Sequence, residues 1–143
     1  MSLTPAQLER YARHIMLREL GGVGQQKLLK ARVALVGLGA LGGPAAMYLA
    51  AAGAGHLTLI DDDVVSLSNL QRQVLFATGD VGMPKTEAGR RELLAMNPDI
   101  RITAKPARLT AANGRDLLQD ADIVVDGSDS FTTRFDVNAA CHA

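Results

Sequence analysis

Several residue types that mark specialised classes of protein are scarce in this 143-residue chain. Its one cysteine, Cys141, excludes a disulfide within the chain and a structural zinc site built from the chain's own cysteines. Fifteen basic residues balance fifteen acidic ones, so the sequence predicts no broad positive surface for nucleic acid or an anionic membrane. The longest apolar stretch, residues 41–55, is interrupted by glycines and a proline and is too short to span a bilayer. Since the first residues also lack the pattern of a secretory signal, we expect a cytoplasmic protein that binds neither nucleic acid nor membrane.

The composition is typical of one folded domain, and residues 1–31 are predicted to form a helical N-terminal arm. Hydrophobic residues make up 48% of the chain and charged residues 21%, as in most globular domains. Thr4 and Gln7 have the spacing of a capping box, which predicts that a helix begins between them. Gly21-Gly22 is predicted to end this helix, and a further short helix is predicted over 25–30.

From residue 32 to residue 143 the hydrophobic pattern alternates between short apolar runs and longer segments of helical character. The apolar runs predict strands at 33–36, 56–60, 100–106 and 121–126. The other segments predict helices that end near residue 52 and that cover 85–97, 111–119 and 132–143. This alternation predicts an α/β fold, a Rossmann-like doubly wound and mainly parallel sheet. Because four strands leave an edge that further strands would cover, we expect a truncated domain, the N-terminal part of a larger one.

A long polar segment, residues 64–84, separates the second predicted strand from the next predicted helix. Loops of this length inside a compact domain are usually functional. The only regular structure predicted within it is a short helix near 69–76.

A glycine-rich turn follows the first predicted strand. The motif is Gly37-x-Gly39-x-x-Gly42, and Asp61 comes at the end of the second strand. Glycines at this spacing permit a tight turn and close approach of a ligand, and an acid at that strand end accepts hydrogen bonds from ribose hydroxyls. The N-terminus of the following helix also offers unpaired N–H groups to an anion. The pattern therefore favours a nucleotide site over a purely structural turn.

Three further features favour phosphate chemistry over hydride transfer. Asn69 and Arg72 supply amide and guanidinium donors for phosphate oxygens. Lys85 begins a predicted helix, where a cation is unfavourable unless an anion is held nearby. Asp126 and Asp129 lie at the carboxyl end of the fourth strand, at the edge where open α/β sheets bind ligands. A carboxylate at a triphosphate site suits Mg²⁺.

Together these motifs resemble one known family. The segments that carry the resemblance are residues 10–14, 37–42, 61–73, 81–85 and 126–130. Over residues 10–141 the chain is similar to the ThiF/MoeB/HesA family of adenylyltransferases, the bacterial relatives of ubiquitin-activating enzymes, and most of all to its MoeB branch.

The resemblance implies a reaction and its partners. The reaction is ATP- and Mg²⁺-dependent adenylation of the C-terminal glycine carboxylate of a ubiquitin-like (β-grasp) sulfur-carrier protein that ends in Gly-Gly, with release of pyrophosphate. Sulfur transferred to the activated carrier would then enter molybdopterin or thiamin biosynthesis. A homodimer and a sulfurtransferase partner are also implied, and residues 1–143 would be the ATP-binding part of the enzyme.

The resemblance also implies roles for individual residues. Asp61 would bind the ribose, Asp63 would shape the site, and Arg13 would reach the phosphates bound by the neighbouring subunit. Asp129 would be the Mg²⁺ ligand. The implied catalytic residues are Arg13, Arg72, Lys85 and Asp129. The implied nucleotide-binding residues are Gly37, Gly39, Ala40, Gly42, Asp61, Asp63, Ser68, Asn69, Arg72, Gln73, Lys85, Asp129 and Ser130.

Two positions depart from the family pattern, and two other functions stay open. Ala40 replaces a common glycine, so its methyl group crowds the ligand, and Ser130 replaces the usual asparagine after the Mg²⁺ aspartate. The other functions are a fragment of a NAD-dependent oxidoreductase and a non-catalytic scaffold that binds the carrier. Arg72 and Lys85 discriminate against the first, because a dehydrogenase has no triphosphate to neutralise there.

Overall fold

In the computed structural model, which describes residues 2–143, strands and helices alternate from residue 32 onward. The strands are β1 (Arg32–Val36), β2 (His56–Ile60), β3 (Arg101–Lys105) and β4 (Ile123–Asp126). The helices are α1 (Pro5–Arg10), α2 (Ala12–Ile15), α3 (Gly21–Leu28), α4 (Gly42–Ala52), α5 (Lys85–Met96), α6 (Gly114–Leu118) and α7 (Phe131–His142). None of these helices is long and apolar enough to cross a membrane.

The strands form one parallel sheet in the order β3-β2-β1-β4. At the C-terminal end of β1, Val36 is paired with Ile60 of β2 on one side and with Asp126 of β4 on the other. The chain therefore proceeds outward in one direction through β2 and β3 and returns to the other side of β1 with β4. Open parallel sheets bind ligands at such a reversal of strand order. The sheet confirms the predicted doubly wound α/β fold.

Helices cover both faces of the sheet because β1 is apolar on both faces. Val33 and Leu35 face a core formed with α4 and α5, whereas Ala34 and Val36 face a second core formed with α6 and α7. All four side chains are buried. A continuous apolar run is what a parallel strand covered on both faces requires.

The predicted start of the N-terminal arm is confirmed. Thr4 Oγ1 accepts a hydrogen bond from the Gln7 N–H at 3.2 Å, and Gln7 Oε1 accepts one from the Thr4 N–H at 3.0 Å. Helix α1 ends at Arg10, and the next residue, Tyr11, is buried in the domain with 2% of its surface exposed.

The prediction that Gly21-Gly22 ends a helix is wrong. Gly21 has φ +59° and its N–H donates to the carbonyl of Leu17 at 2.9 Å, so it closes a turn before α3 and begins that helix. A positive φ is a conformation that glycine adopts without strain. Consequently α3 spans Gly21–Leu28, whereas the sequence predicts a helix over 25–30.

Short polar side chains shorten other predicted helices. The helix predicted near 69–76 is absent from the described residues, and two 3-10 turns, Leu67–Asn69 and Thr78–Asp80, occur in that segment instead. The Ser66 N–H donates to Asn69 Oδ1 at 3.2 Å, and the Thr110 N–H donates to Asn113 Oδ1 at 2.8 Å. Such local bonds compete with helix formation, and the second precedes α6, which is shorter than the predicted 111–119.

Candidate nucleotide-binding site

A cavity of about 470 Å³ lies at the C-terminal edge of the sheet, where the strand order reverses. Its walls come from the turns after β1 and β4, the end of β2, the segment after β3, the 64–84 segment and the starts of α5 and α7. The implied nucleotide-binding residues that line it are Gly37, Gly39, Ala40, Asp61, Asp63, Asn69, Arg72, Gln73, Lys85, Asp129 and Ser130. The fold thus gathers into one cavity residues that are distant in sequence.

Three residues of the implied site do not line this cavity. Gly42 is buried in the first turn of α4. Ser68 is exposed, and its Oγ lies 3.1 Å from Oγ of Ser66. Arg13 is exposed on α2, outside the cavity of its own chain.

The glycine turn is held by contacts between backbones. A Cβ built on Gly42 would lie 1.8 Å from the carbonyl oxygen of Gly37, and one built on Gly127 would lie 2.9 Å from Cα of Gly42. Gly37 also has φ +87°, in the left-handed region. The turn after β1 and the turn after β4 therefore touch at a point with no room for side chains. This packing gives Gly42 and Gly127 a structural role beside the cavity.

Next to this contact the backbone offers hydrogen-bond donors to a ligand. Gly39, Ala40 and Leu41 line the cavity, and their N–H groups donate no hydrogen bond within residues 2–143. Helix α4 begins at the next residue, so its N-terminal end adds a partial positive charge. Unpaired N–H groups at a helix start form a site for an anion such as phosphate.

Asp61 ties the glycine turn to the end of β2. Its Oδ2 accepts a hydrogen bond from the Leu38 N–H and its Oδ1 accepts one from the Asp63 N–H, each at 2.8 Å. Burial raises the pKa of Asp61, and these two N–H groups act in the opposite direction. Two of the roughly four acceptor positions of a carboxylate stay free for hydroxyl donors of a ligand.

Three consecutive carboxylates, Asp61, Asp62 and Asp63, lie within 4.8 Å of one another at this point. Each has its own partner: backbone N–H groups for Asp61, Arg108 for Asp62, and Lys85 for Asp63. Like charges this close repel unless they are offset by donors and cations. These partners offset the charge of the three carboxylates, which all line the cavity.

Lys85 is a buried cation at the start of α5. Only 5% of its side chain is exposed, and Nζ lies 3.3 Å from Oδ2 of Asp63. Its backbone N–H also donates to the carbonyl of Asp63 at 3.0 Å. Asp63 thus supplies the nearby negative charge that stabilises a lysine at the start of a helix. An ammonium group has three donors, so Lys85 keeps donors for a ligand.

The 64–84 segment supplies further polar groups to the cavity. Because Asn69 Oδ1 accepts the Ser66 N–H, the free end of the amide is Nδ2, a donor. Arg72 uses one nitrogen to donate to the carbonyl of Ser68 at 3.0 Å and makes no ion pair within residues 2–143. Gln73 is buried, with 6% of its surface exposed, and its Oε1 has no hydrogen-bond partner among the described residues.

Two aspartates at the C-terminal end of β4 have different surroundings. Asp126 Oδ1 accepts hydrogen bonds from the N–H and the hydroxyl of Ser128, so this carboxylate shapes the turn and does not line the cavity. Asp129 is exposed, lines the cavity and makes no hydrogen bond or ion pair within residues 2–143. Ser130 caps α7, since its Oγ accepts the Thr133 N–H at 3.4 Å.

Sequence reasoning missed two cations of the site, Arg108 and Arg134, which both line the cavity. Arg108 comes shortly after the end of β3 and is therefore placed by the same rule that identified Asp61 and Asp129. Arg134 lies on the first turns of α7, and its Nε donates to the carbonyl of Ser128 at 3.1 Å.

A family model, that of the ThiF family, matches residues 11–143 of the chain. This chain belongs to the ThiF family. The match covers the glycine turn, the 64–84 segment and all four strands, and it confirms the resemblance inferred from the motifs.

Curated relatives are similar over nearly the whole chain. The sulfur carrier protein ThiS adenylyltransferase of Escherichia coli is 51% identical over 94% of this chain and 53% of its own length. The SAMP-activating enzyme E1 of Haloferax volcanii is 47% identical over 99% of this chain and 52% of its own length. The molybdopterin-synthase adenylyltransferase of Escherichia coli is 46% identical over 99% of this chain and 57% of its own length. The chain thus spans about half the length of the curated relatives it matches.

A solved structure confirms the fold. The Escherichia coli tRNA N6-threonylcarbamoyladenosine dehydratase TcdA, in complex with ATP, superposes with a TM-score of 0.92 at 29% identity. The superposition covers 99% of this chain and 58% of that one.

Proposed function

We propose that this chain is the ATP-binding part of an adenylyltransferase that activates a ubiquitin-like sulfur-carrier protein. The substrate carboxylate is the C-terminal glycine of a carrier ending in Gly-Gly, and the sulfur then enters molybdopterin or thiamin biosynthesis. The observation that carries the proposal is the presence of Arg72, Lys85 and Asp129 in one cavity at the switch point of the sheet. The names of the relatives, which include ThiS and molybdopterin-synthase adenylyltransferases, support it.

The chemistry needs charge neutralisation more than a protein nucleophile. A carboxylate oxygen of the carrier attacks the α-phosphorus of ATP, a new O–P bond forms, and pyrophosphate leaves with the electrons of the broken bond. Two anions must approach each other, so fixed donors lower the barrier by offsetting their charge and by holding them in line. Arg72, Lys85 and the free N–H groups of residues 39–41 are donors of this kind.

Asp129 fits the role of a Mg²⁺ ligand. Its carboxylate lines the cavity without a protein partner among residues 2–143, and Mg²⁺ in nucleotide sites is commonly held by one or two carboxylates together with phosphate oxygens. When bound, Mg²⁺ would neutralise charge on the phosphates. Asp61 would accept hydrogen bonds from the ribose hydroxyls through its free acceptor positions.

Arg13 would complete the site of the neighbouring subunit in a homodimer. It is exposed and lies outside its own cavity, so it is free to act on a second chain. Mixing an Arg13→Ala chain with an Asp129→Ala chain should restore activity, because one of the two sites in the mixed dimer is intact. Failure of the mixture to recover activity would contradict a role across the subunit interface.

The proposal is tested by calorimetric titration of the chain with ATP plus Mg²⁺ and, in parallel, with NAD. Preferential, Mg²⁺-dependent binding of ATP is expected, whereas a preference for NAD would favour an oxidoreductase. Asp129→Ala should remove the Mg²⁺ dependence. Asp116→Ala, at an exposed position of α6, is the matched control and should not change it.

Catalysis is tested by carrier-dependent exchange of labelled pyrophosphate into ATP by the full-length enzyme. Exchange that Asp129→Ala abolishes would support adenylation. Tight carrier binding with no exchange in the unaltered enzyme would instead indicate a scaffold.

A further inference from the structure

The residues lining the cavity follow the order of the strands. Asp129 follows β4, the glycine turn follows β1, Asp61 and Asp62 follow β2, and Arg108 follows β3. Adjacent strands are about 4.8 Å apart, so the ends of β3 and β4 are separated by roughly 14 Å. This is the scale of an extended nucleotide laid across the edge of the sheet.

The two ends of the cavity differ in chemistry. The end near β1 and β4 has phosphate donors, as described above. At the other end, near β2 and β3, the lining includes the apolar side chains of Ile60 and Leu109, with Arg108 beside them, and Val36 at the end of β1 belongs to the same apolar cluster. A nucleotide with its ribose at Asp61 and its phosphates toward β1 and β4 must therefore direct its base toward β3.

Arg108 is held over this end by an ion pair. Its Nε lies 3.0 Å from Oδ2 of Asp62, which connects the ends of β3 and β2. The side chain is 70% exposed, so packing alone does not fix it. The two terminal nitrogens of the guanidinium make no ion pair within residues 2–143.

The backbone of Arg108 is fixed as well. Its carbonyl accepts a hydrogen bond from Asn113 Nδ2 at 3.0 Å, and Asn113 Oδ1 accepts the Thr110 N–H at 2.8 Å. Asn113 thus fixes the backbone of residues 108–110. Because Asn113 holds its backbone and Asp62 its guanidinium, Arg108 has a defined position among the residues that line the cavity.

We propose that Arg108 covers the face of the nucleotide base and that Asp62 is the positioning residue that holds it there. A guanidinium is flat and weakly hydrated, and it stacks on aromatic faces more readily than an ammonium does. The base would lie between the guanidinium and the apolar floor of Val36, Ile60 and Leu109. The inference rests on the proposed function, because it requires that a nucleotide binds in this cavity.

The test compares two probes, ATP and inorganic tripolyphosphate, which has the phosphates but no base. Both are titrated with the 143-residue chain and with its Arg108→Ala and Arg108→Lys variants. We expect Arg108→Ala to weaken ATP binding about five- to thirty-fold, the factor that corresponds to a cation–π contact of about 1–2 kcal/mol. Tripolyphosphate binding should change by less than about twofold. Arg108→Lys should recover only part of the loss, since the charge is kept but the plane is not.

Asp62→Ala tests the positioning role. It should lower the ratio of ATP affinity to tripolyphosphate affinity. The double variant with Arg108→Ala should bind ATP no more weakly than Arg108→Ala alone, because both changes disrupt the same ion-paired contact to the base. Arg101→Ala, an exposed arginine at the opposite end of β3, is the control and should leave the ratio unchanged.

Three outcomes would overturn the proposal. Equal ATP binding by the unaltered chain and Arg108→Ala would show that the arginine does not contact the base. Equal losses for ATP and tripolyphosphate would show that it acts on the phosphates. An ATP affinity of Arg108→Lys equal to that of the unaltered chain would show that the charge alone suffices. An unaltered chain that binds tripolyphosphate but not ATP would instead contradict the proposed function itself.

Discussion

Tyr11 Oη accepts a hydrogen bond of 2.8 Å from Asn97 Nδ2, and this bond joins the N-terminal arm to the C-terminal end of α5. Asn97 Nδ2 also donates to the carbonyl of Ala50 at 2.7 Å, so one buried amide connects the arm, α4 and α5. The tyrosine ring packs against Gly53, where any Cβ would lie 2.7 Å from ring atoms. Arg13 lies on α2, two residues after this anchor.

Tyr11→Phe should destabilise the fold modestly. The ring stays in place but one hydrogen bond to a buried amide is lost, which costs about 1 kcal/mol. Chemical denaturation should show a lower midpoint with an unchanged slope. Tyr48→Phe is the matched control, because Tyr48 is 80% exposed, and it should not shift the midpoint.

Gly42 and Gly39 separate a structural role from a ligand-binding role within one motif. At Gly42 a methyl group would lie 1.8 Å from a carbonyl oxygen, whereas at Gly39 the nearest atom, Nε2 of Gln73, is 3.6 Å away. Gly42→Ala should therefore lower the unfolding midpoint strongly. The expected loss in the free energy of unfolding is that of an overpacked core, about 1–3 kcal/mol or more. Gly39→Ala should leave the midpoint nearly unchanged and weaken ATP binding, because its methyl group projects into the cavity. A stable Gly42→Ala protein that merely loses ATP binding would contradict this division.

The sequence was sufficient to predict the features that depend on local pattern. Rules of strand burial and turn geometry account for the apolar run at 33–36, for the spacing of Gly37, Gly39 and Gly42, and for the acid after β2. The structure confirms the sheet that these features imply. Local pattern does not reveal partners that are distant in sequence. Neither the ion pair of Asp62 with Arg108 nor the contact of Gly127 with Gly42 leaves a periodic signal.

The errors in the helices come instead from hydrogen bonds between residues only three or four positions apart. Glycine is common at helix ends and therefore predicts an end at Gly21, but the hydrogen bond from its N–H to the carbonyl of Leu17 closes a turn before the next helix. Asn69 and Asn113 each form a side-chain bond to a backbone N–H three residues earlier, which helix propensity does not anticipate.

Asp61 should make stability fall as the pH rises. Burial raises its pKa above the ordinary carboxyl value, so the folded state binds a proton more tightly than the unfolded state. The associated stability is complete below the ordinary pKa and is lost as the pH rises through the raised one. Relative to Asp61→Asn, the unaltered protein should therefore lose stability between those two pKa values. Denaturation midpoints of both proteins, measured across this range, check the sign, and a constant difference between them would contradict it.

Asp80 should have the opposite pH dependence. The Ala77 N–H and the guanidinium of Arg91 lower the pKa of this buried carboxyl. Its contribution is therefore present above the ordinary carboxyl pKa and is lost as the pH falls through the lowered one. At neutral pH, Asp80→Ala should cost about 1–3 kcal/mol, because the Ala77 N–H loses its acceptor. The difference from the unaltered protein should shrink on acidification, and a difference that grows would refute the assignment.

Thr86 offers a stabilising substitution beside the cavity. Its hydroxyl is fully buried in the first turn of α5 and has no hydrogen-bond partner among the described residues. A buried polar group without a partner destabilises the fold by about 1–3 kcal/mol, and valine has nearly the same shape without the hydroxyl. Thr86→Val should therefore raise the unfolding midpoint while ATP affinity stays the same, because Lys85 and not Thr86 lines the cavity. Thr86→Ser keeps the hydroxyl and removes the methyl group, so it should lower the midpoint. If Thr86→Val is the less stable of the two, the hydroxyl has a partner, such as a buried water, that stabilises the start of α5.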